Sequence, residues 1–172
     1  MPSPRIQLIH AVPEAQGPIH EAFRRLWPEA RTVDLTDASL APDVAEAGAL
    51  TDAFTERMAK LIGYGAGCGA EAVLFTCSAF GAAIEAARSD ARIPVLKPDE
   101  AMIEAALSQG PRIGALATFE PTIPSLAAEL AAAAEARALK PEITLRHVPG
   151  ALDALRARRP EEHDRLIADA AR

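Results

Sequence analysis

The sequence has 172 residues, 49% of them hydrophobic and 24% charged. That is enough chain for one medium domain or two small lobes with a sizeable core. The net charge is -6 and no basic stripe interleaved with aromatics occurs, which excludes a nucleic-acid-binding class. Arg156, Arg158 and Arg159 stand close to Glu161, Glu162 and Asp164 and read as a solvated helix face. No apolar stretch approaches about 18 residues without a charge, and the start of the chain has no signal-peptide organisation. The expectation is a cytoplasmic protein, off the membrane, whose two cysteines, Cys68 and Cys77, are both thiols. Neither cysteine has zinc-ligand spacing, so no metal site is expected from them.

Strand-like and helical patterns alternate along the chain. Arg5 to Val12 reads as a buried strand, Gln16 to Trp27 as a helix and Thr32 to Leu35 as a strand. The polar, proline-containing stretch from Thr36 to Gly48 reads as a loop. Leu50 to Tyr64 is an amphipathic helix, ended by Gly63, Gly65, Gly67 and Gly69. Ala72 to Thr76 is a short apolar run suited to a strand covered on both faces. Then come a helix over Phe80 to Arg88, a strand over Ile93 to Leu96 and a helix over Pro98 to Ser108. A strand over Arg112 to Thr118, a helix over Pro121 to Leu139 and a strand over Ile143 to Val148 follow. Two helices close the sequence, Gly150 to Arg158 and one that starts at Pro160.

This alternation predicts an α/β fold with mostly parallel sheets and flanking helices. Ligands in such sheets bind outside the carboxyl ends of the strands, which points to the loops after Val12, Thr76, Leu96 and Thr118. The segment from Ile6 resembles the segment from Ile113, each a strand, a proline-containing turn, a helix and a second strand. The offset is roughly 107 to 111 residues. Two lobes with a pocket between them are expected: residues 1–97, carrying Cys77, and residues 98–172. At this offset the counterpart of Cys77 falls past Arg172, so the second lobe reads as truncated relative to the first. A lobe short of a strand would leave an open sheet edge, which is compatible with a homodimer.

Cys77 is the leading candidate for chemistry. It follows a buried strand and precedes a helix, where unpaired N–H groups and the positive end of the dipole favour an anion. That setting lowers a thiol's pKa and also binds a carboxylate. A thiolate there is a base or nucleophile; the alternative is a small buried hydrophobe. Cys68 lies in a glycine run that precedes a strand and reads as structural. Thr118 and Thr122 flank a turn whose hydroxyls and N–H groups suit a carboxylate, and they equally suit capping of the helix from Pro121. His10, near the end of the first strand, reads as a satisfied core histidine before a catalytic one. Lys97 reads as a surface lysine, with attraction of an anionic substrate as the alternative.

At these residues the chain resembles the aspartate/glutamate racemase superfamily, which includes hydantoin racemases, maleate isomerases and arylmalonate decarboxylases. Leu74-Phe75-Thr76-Cys77-Ser78-Ala79 resembles the site of that group's first catalytic cysteine. Gly114 to Ser125 resembles its G-x-L-A-T-x-x-T-x-x-S strand-turn-helix, and Ile93 to Pro98 its fourth strand and proline-started helix. The resemblance implies two pseudo-symmetric lobes and a cofactor-independent racemase or isomerase. Cys77 would be an acid/base thiol acting at the carbon alpha to a carboxylate. Thr76, Ser78, Ala79, Thr118, Phe119 and Thr122 would bind the small-molecule substrate, and Val12 and Pro13 would wall the pocket. Amino-acid racemases commonly read Cys-Asn-Thr, where this chain reads Cys77-Ser78-Ala79. A single-cysteine decarboxylase of malonate-type acids and a non-catalytic carboxylate-binding relative are the alternatives.

Overall fold

A computed structural model describes residues 3–172. The chain divides into two compact units, the first ending at Pro98 and the second running over Asp99–Arg172.

The first unit is a parallel four-stranded sheet in the order β2-β1-β3-β4. Its strands are β1 (Arg5–His10), β2 (Arg31–Thr36), β3 (Ala72–Phe75) and β4 (Val95–Leu96). β1 is central, and Ile6 through His10 are all buried, as expected of a parallel strand covered on both faces. β2 is an edge and alternates exposed with half-buried residues. β4 is shorter than its sequence pattern because Pro94 has no N–H to give; its carbonyl instead accepts the Val73 N–H at 2.9 Å. The crossovers are α1 (Gln16–Leu26), the pair α2 (Leu40–Ala47) and α3 (Asp52–Gly67), and α4 (Gly81–Arg88). Leu8, Met58, Val73 and Ile84 are fully enclosed and join sheet to helices; each such side chain contributes about 1.5–3 kcal/mol.

Two expectations are corrected. Thr36 to Gly48 is not a loop, since α2 occupies most of it. Pro42 falls in the helix's first turn, where a missing N–H costs nothing, and Leu40, Ala41 and Val44 are buried. The glycine run does not stop α3 at Gly63. The helix continues to Gly67 and closes with Ala70 N–H donating to the Gly65 carbonyl and Gly69 N–H to that of Ala66, both at 3.0 Å. Gly69 takes the left-handed turn at φ 77°.

Gly65 lets α3 lie close to the sheet. A Cβ there would stand 3.0 and 3.2 Å from Cγ and Cβ of Gln7 and 3.3 Å from Val73 Cγ2. Gln7 is held in β1 and donates through Nε2 to the Val33 carbonyl at 3.0 Å, so it cannot retreat. Gly65→Ala is therefore expected to destabilise the first unit by about 1–3 kcal/mol, despite alanine's better helix propensity. Urea unfolding followed by the fluorescence of Trp27, the single tryptophan, reads this unit directly.

Arg57 on α3 clamps the entry to α2. Its Nε donates to Asp37 Oδ2 at 2.8 Å, its Nη1 to Asp43 Oδ2 at 2.6 Å, and its Nη2 to Ser39 Oγ. Burial pushes the Asp37 pKa up, but the hydrogen bonds from Arg57 and Ser39 and the Arg57 charge outweigh it, and the net position is below 3.8. A depressed carboxyl stabilises the fold above its unfolded pKa and loses that contribution as pH falls through its folded pKa. The stability gap between the parent and an Arg57→Met variant is thus expected to be full above about pH 5 and to shrink below the ordinary aspartate range. Urea midpoints at a series of pH values check it.

The second unit is a parallel two-stranded sheet of β5 (Arg112–Ala117) and β6 (Glu142–His147). α5 (Glu100–Gln109) and α6 (Thr122–Ala136) build its core together with β5, from Ile103, Leu107, Ile113, Leu126 and Leu130. α7 (Ala151–Arg156) and α8 (Pro160–Ala170) follow.

The internal repeat holds at the level of individual hydrogen bonds. Arg31 N–H donates to the Pro4 carbonyl at 2.8 Å, and Glu142 N–H to that of Pro111 at 2.7 Å. Asp37 N–H donates to His10 and Val148 N–H to Ala117, both at 2.9 Å. The first-strand turns match as well, with Ala15 N–H on the Val12 carbonyl and Thr122 N–H on that of Phe119. The offset grows by one helical turn between first and second strands because α6 has 15 residues and α1 has 11.

Candidate active site

Strand order decides where a ligand can sit in the first unit. From β1 the chain crosses to β2 on one side and then returns to β3 on the other. β1 and β3 therefore flank the point where the order reverses, and the loops after them border a crevice. Those loops carry Val12 and Pro13 after β1, and Thr76, Cys77, Ser78 and Ala79 after β3.

Thr76 ties the two strand ends together. Its N–H donates to the Ile9 carbonyl at 3.0 Å, and its hydroxyl Oγ1 lies 2.8 Å from His10 Nδ1. Cys77 follows in extended backbone and caps the 3₁₀ turn Ser78–Phe80, which leads straight into α4. Its thiol is half-buried. Ala79 and Phe80 are 1% exposed, and Phe80 packs on Phe54 of α3 with ring centroids 5.8 Å apart. Ala79 and Phe80 thus anchor the turn in the core. Pro13 opens its own 3₁₀ turn, Pro13–Ala15, capped by Val12. His10 is fully buried with a partner on each ring nitrogen, as the core-histidine reading anticipated.

Thr118, Phe119 and Thr122 lie in the second unit, on the turn between β5 and α6. The turn closes with Thr122 N–H donating to the Phe119 carbonyl and Ile123 N–H to that of Glu120, both at 3.0 Å. The expected capping by threonine is not what starts α6: Pro121 occupies the N-cap, and Thr122 is the first helical residue, 7% exposed. Ser125 donates to Glu129 Oε1 at 3.2 Å.

Cys68 has the structural role expected of it. It caps α3, its carbonyl accepts Arg5 Nη1 at 2.6 Å, and a hydrogen bond between its thiol and the Tyr64 hydroxyl raises the pKa of Tyr64. Lys97 is not a surface lysine. Its side chain is 9% exposed and Nζ lies 3.2 Å from Glu85 Oε2. Burial raises the Glu85 pKa, but hydrogen bonds and charge from Lys97 and Arg88 hold it below 4.5. Lys97 is thus already countered by a carboxylate. Among the described residues no cluster of three or more His, Cys, Asp or Glu suits a metal ion, and no helix is long and apolar enough to cross a membrane.

The Asp/Glu/hydantoin racemase family profile matches residues 18–172, nearly the whole chain. The chain belongs to the Asp/Glu/hydantoin racemase family. Solved glutamate racemases share its fold at low identity. Isoform RacE1 from Bacillus anthracis is 17% identical with a TM-score of 0.74, over 99% of this chain and 63% of that one. The enzyme from Aquifex pyrophilus is 17% identical with a TM-score of 0.67, over 83% and 54%. The Francisella tularensis SCHU S4 enzyme, solved in complex with D-glutamate, is 16% identical with a TM-score of 0.68, over 90% and 56%. The chain therefore spans between 54% and 63% of the length of these three racemases. No curated protein sequence matches it.

Proposed function

We propose that this chain forms part or all of a racemase or isomerase that moves a proton at the carbon alpha to a carboxylate, with Cys77 as an acid/base thiol. Membership of the racemase family supports the reaction class. The observation that carries the residue assignment is Cys77 at the carboxyl end of β3, beside the reversal of strand order and at the head of the turn into α4.

In this reading the Cys77 thiolate takes the α-proton, and the electron pair left on carbon delocalises into the substrate carboxylate. The N–H groups of Ser78 and Ala79 donate to that carboxylate and stabilise the charge it gains. The positive end of the turn and helix favours both the thiolate and the substrate anion. A proton returned to the other face of the carbon gives the opposite stereoisomer. Incubation with a panel of 2-substituted carboxylic acids in deuterated water tests the reading. Deuterium appearing at the α-carbon of at least one acid is expected; a panel without any incorporation argues against proton transfer.

A second reading is a lyase that releases carbon dioxide from a malonate-type acid and protonates the resulting carbanion from Cys77. The run Cys77-Ser78-Ala79, where amino-acid racemases commonly read Cys-Asn-Thr, favours it over a reading as an α-amino-acid racemase. Carbon dioxide release that depends on Cys77, without deuterium exchange into unreacted substrate, would select this reading.

A further inference from the structure

His10 joins Thr76 to a hydrogen-bonded chain that runs to the surface. His10 Nε2 lies 2.9 Å from Asp34 Oδ1, and the same carboxylate receives His20 Nε2 at 2.9 and 3.0 Å. His20, on α1, is 31% exposed and lines an open depression of about 440 Å³ with Phe23 and Trp27. The path therefore leads from the residue before Cys77, through the buried His10, to the partly exposed Asp34 on the edge strand and so to solvent.

The proton positions follow from donor counting. An ionised carboxylate only accepts, so His10 must carry a proton on Nε2. Nδ1 then has two consistent arrangements. It accepts the Thr76 hydroxyl proton, or it donates to Oγ1 while that hydroxyl donates to the Ile9 carbonyl at 3.3 Å. In both, the Thr76 hydroxyl stays hydrogen-bonded to His10.

The fold does not require these polar residues. In the repeated unit, the residues matching His10 and Asp34 are Ala117 and Leu145. Leu145 packs against an apolar cluster, and the same strand-helix-strand forms around it. A fully buried histidine gains little over a well-packed apolar residue, so His10, 0% exposed beside an Asp34 that is 35% exposed, calls for a role other than stability. It stands beside the only turn that carries the candidate thiol.

We propose that His10 and Asp34 are positioning residues for Cys77: Asp34 sets the tautomer and ring orientation of His10, His10 fixes the Thr76 hydroxyl, and Thr76 holds the start of the Cys77 turn. The inference rests on the reading of Cys77 as the acid/base thiol.

The test uses the full chain in a Cys68→Ser background, so that only Cys77 is alkylated. Asp34→Asn, His10→Gln and His20→Gln are compared with the parent. Two readouts are taken: the pH profile of iodoacetamide alkylation, and amide hydrogen exchange over residues 76–80. Asp34→Asn and His10→Gln are expected to slow alkylation near neutral pH about fivefold or more, and to speed exchange over 76–80 by a similar factor. Exchange in β1 and β3 should be unchanged, and His20→Gln, at the exposed end, should stay within about twofold on both readouts. Superimposable profiles and exchange in parent, Asp34→Asn and His10→Gln overturn the inference. So does faster exchange spread evenly through β1 and β3, which marks a merely structural pair. A parent Cys77 that alkylates like an ordinary thiol counts against the acid/base reading instead, while exchange over 76–80 still decides whether the pair positions the turn.

Discussion

Cys77→Ala is expected to lower α-proton exchange, or carbon dioxide release in the lyase reading, by about 10²–10⁴-fold, the range a single general acid/base supplies. The loss should appear in kcat, because the carboxylate contacts proposed for the Ser78 and Ala79 N–H groups would remain. Cys77→Ser separates the thiol's acidity from its size: a hydroxyl fits the same space but is a far weaker acid, so most of the activity should still be lost. Cys68→Ser, by contrast, should retain activity within about twofold, since surface changes of that kind are usually mild. Deuterium incorporation into a turned-over substrate, measured for the three variants together, checks the set. Full activity in Cys77→Ala would remove both catalytic readings at once.

Phe80→Ala is expected to have the largest effect on stability, about 3–5 kcal/mol. The ring is 1% exposed and packs at 47° to Phe54, so its removal opens a cavity between α3 and the turn into α4. Domains of this size are stable by about 5–15 kcal/mol, so the first unit should lose a large part of its margin. Trp27 fluorescence in urea reads the loss. Phe80 also backs the Cys77 turn, so the variant should lose regular thiol reactivity before it unfolds. Phe80→Leu fills most of the space and should cost clearly less on both counts.

Most strands were legible because their signal is local. The apolar runs at Arg5, Ala72 and Arg112 mark β1, β3 and β5 to within one or two residues at each end. What escaped depends on partners distant in sequence. α2 looks like a loop because Pro42 and the acidic residues dominate its composition; burial of Leu40, Ala41 and Val44 decides otherwise. The glycines of α3 look like a stop because glycine usually is one. Gly65 is instead the price of close approach to Gln7 and Val73. The Arg57 clamp joins residues 14 to 20 positions apart and has no sequence signature.

The candidate site divides in the same way. The placement of Cys77 between strand and helix was legible from the order of elements. Lys97 was not, because its Glu85 partner lies on the preceding helix. His10 could be read as a core histidine, but its link to Asp34 and His20 could not, since the three belong to β1, β2 and α1. One clue was present: Asp34 interrupts a strand whose repeat counterpart holds Leu145.

The most direct measurement on the central claim is the rate of iodoacetamide alkylation of Cys77 against pH, with and without a small dicarboxylate. An acid/base thiol at the head of the turn should react at a pH well below the usual thiol range near 8.5, and the dicarboxylate should protect it. Reactivity that rises only in the ordinary thiol range, and that the dicarboxylate leaves unchanged, would contradict the assignment.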